Sequence, residues 1–289
     1  MADNQAPERD EITGTATTKH EWDGITELDT PLPRWWLWTF YITIVWGIGY
    51  CIAYPAWPLI SSATEGVLGY SSRAEVAADI DAHRQANAEI AQRVAEADFA
   101  TIASDTELDS FALSGGAAVF RTYCSQCHGA GGAGAKGYAN LLDDDWLWGG
   151  THEDIYETLR VGIRWEENDE TRYSEMPAFG DMDILTNAQI SAVTDHVLSL
   201  SGGAEANADG AALYAENCAA CHGDDGAGDR SQGAPNLADA IWLYGGDRET
   251  VIATITHSRF GVMPAWNTRL SETELRQVSH YVHSLGGGE

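Results

Sequence analysis

One pattern occurs twice in this chain of 289 residues, and the repeat constrains the fold more than any other feature. In each copy a Gly-Ala-Ala stretch leads into a Cys-x-x-Cys-His-Gly motif, at 124–129 in the first copy and at 218–223 in the second. A Trp-Leu-aromatic-Gly-Gly box and a Met-Pro-Ala-aromatic box follow in the same order. The copies span 115–203 and 204–289, and we expect each to be a small helical domain with long glycine-rich loops.

Helix start signals recur at matching places in the two copies. Thr151 and Asp247 each precede an amphipathic stretch as N-cap residues, and capping boxes at Thr186 and Ser271 precede the closing helix of each copy. Each copy therefore predicts three or four short helices. A domain this small, with loops this long, has little core of its own, so we expect a metal or a large cofactor in its interior.

The Cys-x-x-Cys-His motif indicates which cofactor that is. At a helix start this spacing puts both sulfurs on one side, where they can add to the two vinyl groups of a porphyrin, and the next histidine can reach the iron. The sequence therefore predicts two covalently attached haem c groups, one in each copy. Their attachment residues are Cys124, Cys127, Cys218 and Cys221.

Other uses of the cysteines fit the pattern less well. Two cysteine pairs can make a zinc site with four thiolate ligands, but these pairs are far apart in the sequence, and zinc has no use for a histidine placed identically after each pair. A thioredoxin-like dithiol is disfavoured because strands and helices do not alternate. The fifth cysteine, Cys51, is predicted to be a small apolar filler.

The axial ligands of the iron are predicted from the residues that repeat. His128 and His222 follow the two cysteine pairs, and Met176 and Met263 stand in the two Met-Pro-Ala boxes. A thioether ligand favours ferrous iron and raises the reduction potential. Spacing along the chain favours pairing within a copy. The remaining histidines of this part of the chain do not repeat and are predicted at surface or capped helix positions: His152, His196, His257, His280 and His283.

The residues around the ligands are predicted to orient them. The second nitrogen of a ligating imidazole normally donates to a backbone carbonyl. In the second copy Pro235 is a rigid supplier of that carbonyl, whereas the first copy has Ala139 at this place and must hold its acceptor in another way. Arg164 and Arg259 precede the methionine boxes, where each either pairs with a haem propionate or is solvated.

An uncharged run of 20 residues at 35–54 is long enough as a helix to cross about 30 Å of hydrocarbon. Aromatic residues lie at both ends, so we predict one transmembrane helix. The 34 residues before it are unlike the short basic leader of a cleaved signal peptide. Lys19 and Arg34 on the amino side, against Arg73 beyond the run, weakly favour a cytoplasmic amino terminus.

Acidic side chains dominate the chain, with 44 Asp plus Glu against 16 Lys plus Arg and a net charge of −28. This balance excludes nucleic acid as a partner, because too few basic side chains are present to contact phosphates. It favours either solubility or the steering of a basic partner. Between the anchor and the repeats, apolar residues in 71–110 recur at near-helical spacing, which predicts an amphipathic linker helix that is either a solvated spacer or docked.

These features together resemble a known family. They are the Asp-Gly-Ile triplet at 23–25 with Pro-Leu-Pro-Arg-Trp-Trp at 31–36, the single span, and two Cys-x-x-Cys-His domains with Met-Pro-Ala. Over nearly its whole length the chain resembles the membrane-anchored dihaem cytochrome c subunit (subunit III, the CcoP or FixP type) of cbb3-type cytochrome c oxidases. The resemblance implies a mostly α fold with one N-terminal transmembrane helix, a helical linker and two tandem class I cytochrome c domains. The expected segments are a cytoplasmic 1–34, a transmembrane 35–54, a linker 55–114, and cytochrome c domains at 115–203 and 204–289.

The resemblance also implies a function. Such a subunit takes electrons from the cytochrome bc1 complex or a soluble cytochrome c and relays them toward a haem–copper subunit, where oxygen is reduced. The expected partners are that subunit, a monohaem cytochrome c subunit and the membrane. The chain is expected to be a non-catalytic part of the oxidase, with its haem domains periplasmic at the bacterial inner membrane. In this family axial ligands can be exchanged between domains, so their pairing stays open.

Two other functions stay open at this point. A free-standing anchored dihaem shuttle would have the same chemistry without an oxidase partner, and a dihaem peroxidase would require one methionine to leave its iron. The first copy also carries an acidic insert at 165–173 that the second copy lacks. We expect this insert to contact a neighbouring subunit or a basic electron donor.

Overall fold

The computed structural model describes residues 8–205 and 207–289 and divides into two units, Met1–Arg84 and Gln85–Glu289. The first seven residues of the predicted cytoplasmic segment, and residue 206 of the second predicted cytochrome c domain, lie outside the described residues. The regular structure of the described residues is mostly helical, as predicted, with one two-stranded sheet.

The N-terminal unit begins with an antiparallel hairpin and continues into the long apolar helix. Strands β1 (Thr17–Trp22) and β2 (Ile25–Leu28) pair around a turn at Asp23 and Gly24, both with positive φ. Helix α1 (Arg34–Ala53) has 20 residues, none of them buried, and among the described residues it is the one helix long and apolar enough to cross a membrane. It begins and ends one residue before the predicted span, because Pro33 precedes it and Tyr54 is extended ahead of a proline.

The predicted linker helix is broken into several helices. They are α2 (Ser72–Ala86), α3 (Ala88–Glu96), α4 (Phe99–Ser104) and α5 (Thr106–Val119). The breaks before α4 and α5 occur at Asp98 and Asp105, whose carboxylates accept from the free amides of the following helix. Helix α2 has no buried residue, whereas Val94 and Ile102 are fully buried in a cluster with α5. The linker is therefore solvated in its first part and docked in its second.

Two helical cores follow, each beginning at one cysteine motif. After α5 come a π-helical turn (Phe120–Cys124), α6 (Ser125–His128) and α7 (His152–Val161). The next helices are α8 (Asn187–Leu200), α9 (Ala208–Asn217), α10 (Ala219–His222), α11 (Arg248–His257) and α12 (Glu272–Ser284). The four predicted N-caps are confirmed: Thr151 and Asp247 each accept from a backbone amide, and Thr186 and Ser271 form complete capping boxes.

The closing helices are exchanged between the two copies. The first core combines Phe120, Cys124 and α7 with Val278 and Val282 of α12, which comes from the second copy. The second core combines α9, α10 and α11 with α8, which comes from the first copy. The predicted boundary between 203 and 204 therefore follows the sequence repeat, whereas each packed core contains residues from both sides of it.

Two glycines allow the exchanged helices to cross closely. A Cβ added at Gly116 of α5 would lie 2.6 Å from the Cβ of Tyr281 and 2.7 Å from the backbone carbon of Gln277, both on α12. A Cβ at Gly210 of α9 would lie 2.7 Å from the backbone carbon of Ala192 on α8. Because only a residue without a side chain permits these approaches, the same Gly-Ala-Ala motif makes the same crossing in both cores.

Candidate functional site

The two cysteine motifs have the same local geometry. Each ends a helical turn at a glycine with φ 77° and ψ 159°, Gly129 in one copy and Gly223 in the other. The first cysteine of each pair, Cys124 or Cys218, packs in its core, and the other lies at the surface. Burial raises the pKa of both inner thiols to about 11, so neither is a thiolate at neutral pH. A low-pKa thiolate of the kind found in redox-active dithiols is therefore absent at these two positions.

The two predicted histidine ligands are oriented in the same way. The Nδ1 of His128 lies 2.9 Å from the carbonyl oxygen of Ala139, and the Nδ1 of His222 lies 3.0 Å from that of Pro235. As Nδ1 donates to the carbonyl, Nε2 is left free to bind a metal. The first copy holds its acceptor without a proline, because Ala135 and Tyr138 exchange two backbone hydrogen bonds of 3.1 and 2.7 Å just before Ala139.

The two predicted methionine ligands lie in the core of the opposite copy. Met263 packs against the cluster that contains Cys124, and Met176 packs against the cluster that includes Cys218. The backbone of Met263 exchanges hydrogen bonds of 2.9 and 3.0 Å with Ile163, which follows α7 of the first copy. The carbonyl of Met176 accepts from the hydroxyl of Ser258, just after α11. Sequence spacing favours pairing within a copy, whereas the fold brings together residues of different copies.

The surroundings fit a porphyrin with polar edges better than a bare metal ion. In the described part of the chain no group of three or more His, Cys, Asp or Glu side chains could hold a metal ion, and the inner cysteines of the two pairs, Cys124 and Cys218, pack in different cores. The indole nitrogen of Trp148 is buried without a hydrogen-bond partner among the described residues. A buried N–H of this kind requires an acceptor, which a haem carboxylate can supply.

The two arginines that precede the methionine boxes, predicted either to pair with a haem propionate or to be solvated, differ in burial. Arg164 is half-buried and donates hydrogen bonds of 2.7 Å to the carbonyls of Gly261 and Ser174. Burial lowers the pKa of this guanidinium. Arg164 therefore joins the two crossing segments, a role that its sequence position did not indicate. Arg259 is exposed.

A histidine cluster beside the first core was missed by the sequence prediction. His280 is only 5% exposed, and it bonds through Nε2 to Asp109 at 2.8 Å and through Nδ1 to His152 at 3.1 Å. The His152 ring stacks between His283, at a centroid distance of 3.6 Å, and Phe99, at 5.0 Å. Burial, with the two neighbouring histidines, lowers the pKa of His152 to about 4. The prediction of a surface or cap position was wrong for His280, because the exchange that buries α12 cannot be read from one copy.

Three segments of the chain match known protein families. Residues 14–61 match the N-terminal domain of cytochrome oxidase-cbb3, FixP; residues 113–201 match cytochrome c; and residues 205–282 match cytochrome c oxidase, cbb3-type, subunit III. The cbb3-type cytochrome c oxidase subunit CcoP of Cereibacter sphaeroides is 60% identical over 94% of this chain and 95% of that protein. The chain belongs to the CcoP/FixP family.

Other members of the CcoP/FixP family are similar over the same extent. The cbb3-type cytochrome c oxidase subunit FixP of Bradyrhizobium sp. is 52% identical over 100% of both chains, and that of Sinorhizobium medicae is 50% identical over 97% of both. The chain is thus an electron-transfer cytochrome c subunit with an apolar N-terminal helix, and its two cytochrome c domains imply that it binds haem c. The fold class and function expected from the resemblance are confirmed.

Proposed function

We propose that this subunit carries one haem on Cys124 and Cys127 and a second on Cys218 and Cys221. The axial pairs are His128 with Met263, and His222 with Met176. The observation that carries the pairing is that each methionine packs in the core of the other copy's cysteine motif. The exchanged helices α8 and α12 support it, because each follows the methionine box that it takes into that core.

The bound haem supplies a one-electron couple, and the chain sets its ligation and surroundings. The Ala139 and Pro235 carbonyls hold each imidazole with Nε2 available to the iron. With a histidine and a methionine both holding each iron, no position would be left open for oxygen, so the subunit would transfer electrons without reducing oxygen itself. Both potentials are raised by the thioether ligands.

Family membership and charge support the route that we propose for the electrons. In this proposal the cytochrome bc1 complex or a soluble cytochrome c donates electrons, which pass through both haems toward a haem–copper subunit. That subunit and a monohaem cytochrome c subunit share the complex. The net charge of −28 supports fast encounter with a basic donor. The apolar helix anchors the chain in the bacterial inner membrane, with the amino terminus cytoplasmic and the haem domains periplasmic, where haem c is attached.

Haem content and ligation are tested on the purified full-length subunit. A pyridine haemochrome spectrum should give two haem c groups per chain, and copurification with a haem–copper subunit should place the chain in an oxidase. A haem content of zero would contradict the whole proposal. Isolation without a haem–copper subunit would instead favour a free-standing shuttle, and tight cyanide binding by the untreated subunit would favour a peroxidase.

The crossed pairing is tested with single-haem variants. In a chain with Cys124→Ala and Cys127→Ala only the second haem is attached. We expect Met176→Ala to remove the red-region sulfur-to-iron band of that haem, and Met263→Ala to leave the band in place. The opposite result would show that each iron takes its methionine from its own copy.

A further inference from the structure

The second aromatic residue of each Trp-Leu-aromatic-Gly-Gly box lies against the other copy. The indole of Trp148, in the first copy, covers the backbone of Gly233 so closely that a Cβ added there would overlap the ring. The phenol ring of Tyr244, in the second copy, lies against Gly137, where an added Cβ would be 3.4 Å from Cε1. A backbone hydrogen bond of 2.8 Å from the Gly137 amide to the Leu243 carbonyl reinforces the second contact. The two contacts are reciprocal.

Each covered glycine belongs to the turn that ends at the acceptor of a histidine ligand. In the second copy Asp229 and Ala234 exchange two backbone hydrogen bonds of 3.0 Å, and Gly233 closes that turn. The next carbonyl, that of Pro235, accepts from His222. In the first copy Gly137 lies in the corresponding short turn, directly before Tyr138 and the Ala139 carbonyl.

The aromatic ring of Trp148 is itself held in place by its own copy. The Arg172 guanidinium carbon lies 5.5 Å from the centre of the indole, and its Nη1 donates to the Trp148 carbonyl at 2.9 Å. The same nitrogen donates to the hydroxyl of Thr158 on α7 at 2.7 Å. These contacts hold the indole of Trp148 in place. The turn that contains Gly233 packs against the indole, so it cannot move away without losing that contact.

We propose that Trp148 and Tyr244 are positioning residues that fix the histidine-orienting carbonyl of the opposite copy, so that each haem's potential is set partly by the copy to which it is not attached. The inference rests on the proposed haem attachment. Its physical basis is that a strong hydrogen bond at Nδ1 raises the basicity of the imidazole and favours ferric iron. When the ring is removed, the turn relaxes, the hydrogen bond weakens and the potential rises.

The test is a redox titration of the full-length subunit, with the two haems assigned by the methionine variants above. Removing a residue that orients a metal-bound histidine typically costs 10- to 100-fold in metal affinity or activity, and we expect an effect at the lower end of that range on the redox equilibrium. For Trp148→Leu we expect about a tenfold shift of the second haem toward the reduced form, which is about 59 mV upward for one electron. The first haem should not shift. For Tyr244→Leu we expect an upward shift of the first haem's potential and no shift of the second. In each variant, electron paramagnetic resonance of the oxidised protein should show a changed signal from the haem whose potential shifts.

Conservative variants separate the ring contact from the polar atoms. Tyr244→Phe keeps the ring on Gly137 and removes only the hydroxyl, so it should leave the first haem's potential near that of the parent. Trp148→Phe keeps a ring on Gly233 but also removes the indole N–H that a haem carboxylate can accept from, so it should shift the second haem less than Trp148→Leu does. The inference is overturned if each leucine variant shifts the haem of its own copy, if neither haem shifts, or if Trp148→Phe shifts the second haem as much as Trp148→Leu does. The haemochrome content of the same samples separates these outcomes from failure of haem attachment itself.

Discussion

The histidine cluster beside the first core should make the subunit less stable in mild acid, and His152→Phe should remove most of that effect. Phenylalanine keeps an aromatic ring stacked between Phe99 and His283, so the packing is largely preserved. It removes the hydrogen bond to His280, whose other ring nitrogen still faces Asp109. The substitution therefore changes the ability of this position to take up a proton more than it changes the shape of the core.

The size of the effect follows from the pKa of His152, which is lowered from 6.5 to about 4, chiefly by burial. Between these pH values the unfolded chain binds a proton that the folded chain excludes, so the free energy of unfolding is highest above pH 6.5 and decreases as the pH falls toward 4. At about 1.4 kcal/mol per pKa unit the ceiling is about 3 kcal/mol. Because the ring is only half-buried, solvent screening reduces this to about 1–2 kcal/mol.

The assay is urea unfolding of the full-length haem protein in detergent, followed by circular dichroism, at about pH 7.5 and about pH 5. Because pH 5 covers only part of the interval between 6.5 and about 4, the parent chain should lose about 1 kcal/mol more than His152→Phe between the two conditions. Comparing the two chains cancels the response of the many carboxylates, which both share. An equal loss in parent and variant, or a larger loss in the variant, would refute the assignment of His152 as a half-buried histidine that stays neutral in mild acid.

Two further predictions concern the helix crossing and the acidic insert. Gly116→Ala places a methyl group 2.6 Å from the Cβ of Tyr281. It should lower the free energy of unfolding by about 1–2 kcal/mol, since overpacking outweighs the gain in helix propensity. Thermal unfolding should show this loss, with a smaller loss for Gly115→Ala, where the atoms nearest to an added Cβ belong to the side-chain amide of Gln277 and not to the backbone; equal losses would contradict the close crossing. Glu166→Gln combined with Glu167→Gln should slow reduction by a basic cytochrome c in stopped-flow measurements at low salt but not at high salt, and unchanged low-salt rates would exclude this insert from donor binding.

Local chemistry made much of this fold predictable. The cysteine motifs, the four N-caps and the apolar helix each depend on neighbouring residues, so short stretches of sequence specify them. The breaks in the linker were missed because the apolar spacing continues through them. They occur where Asp98 and Asp105 offer their carboxylates to backbone amides, which competes with a continuous helix.

The exchange of α8 and α12 was not predictable in the same way. Both helices follow a methionine box, begin with a capping box and present an apolar face, so either could complete either core. The segment that joins the two copies decides which core each closing helix packs into. The spacing of apolar residues does not indicate the path of that segment. The burial of His280 and the contacts of Trp148 and Tyr244 depend on that exchange, and for this reason they were missed as well.

The exchanged closing helices have a consequence for biogenesis. The first core is incomplete until α12 packs into it, and α12 follows the second cysteine motif and the second methionine box along the chain. A polypeptide that is synthesised amino end first therefore cannot complete its first core before the second copy has been made. A chain truncated before α12 would leave the first core without the apolar residues that α12 contributes to it.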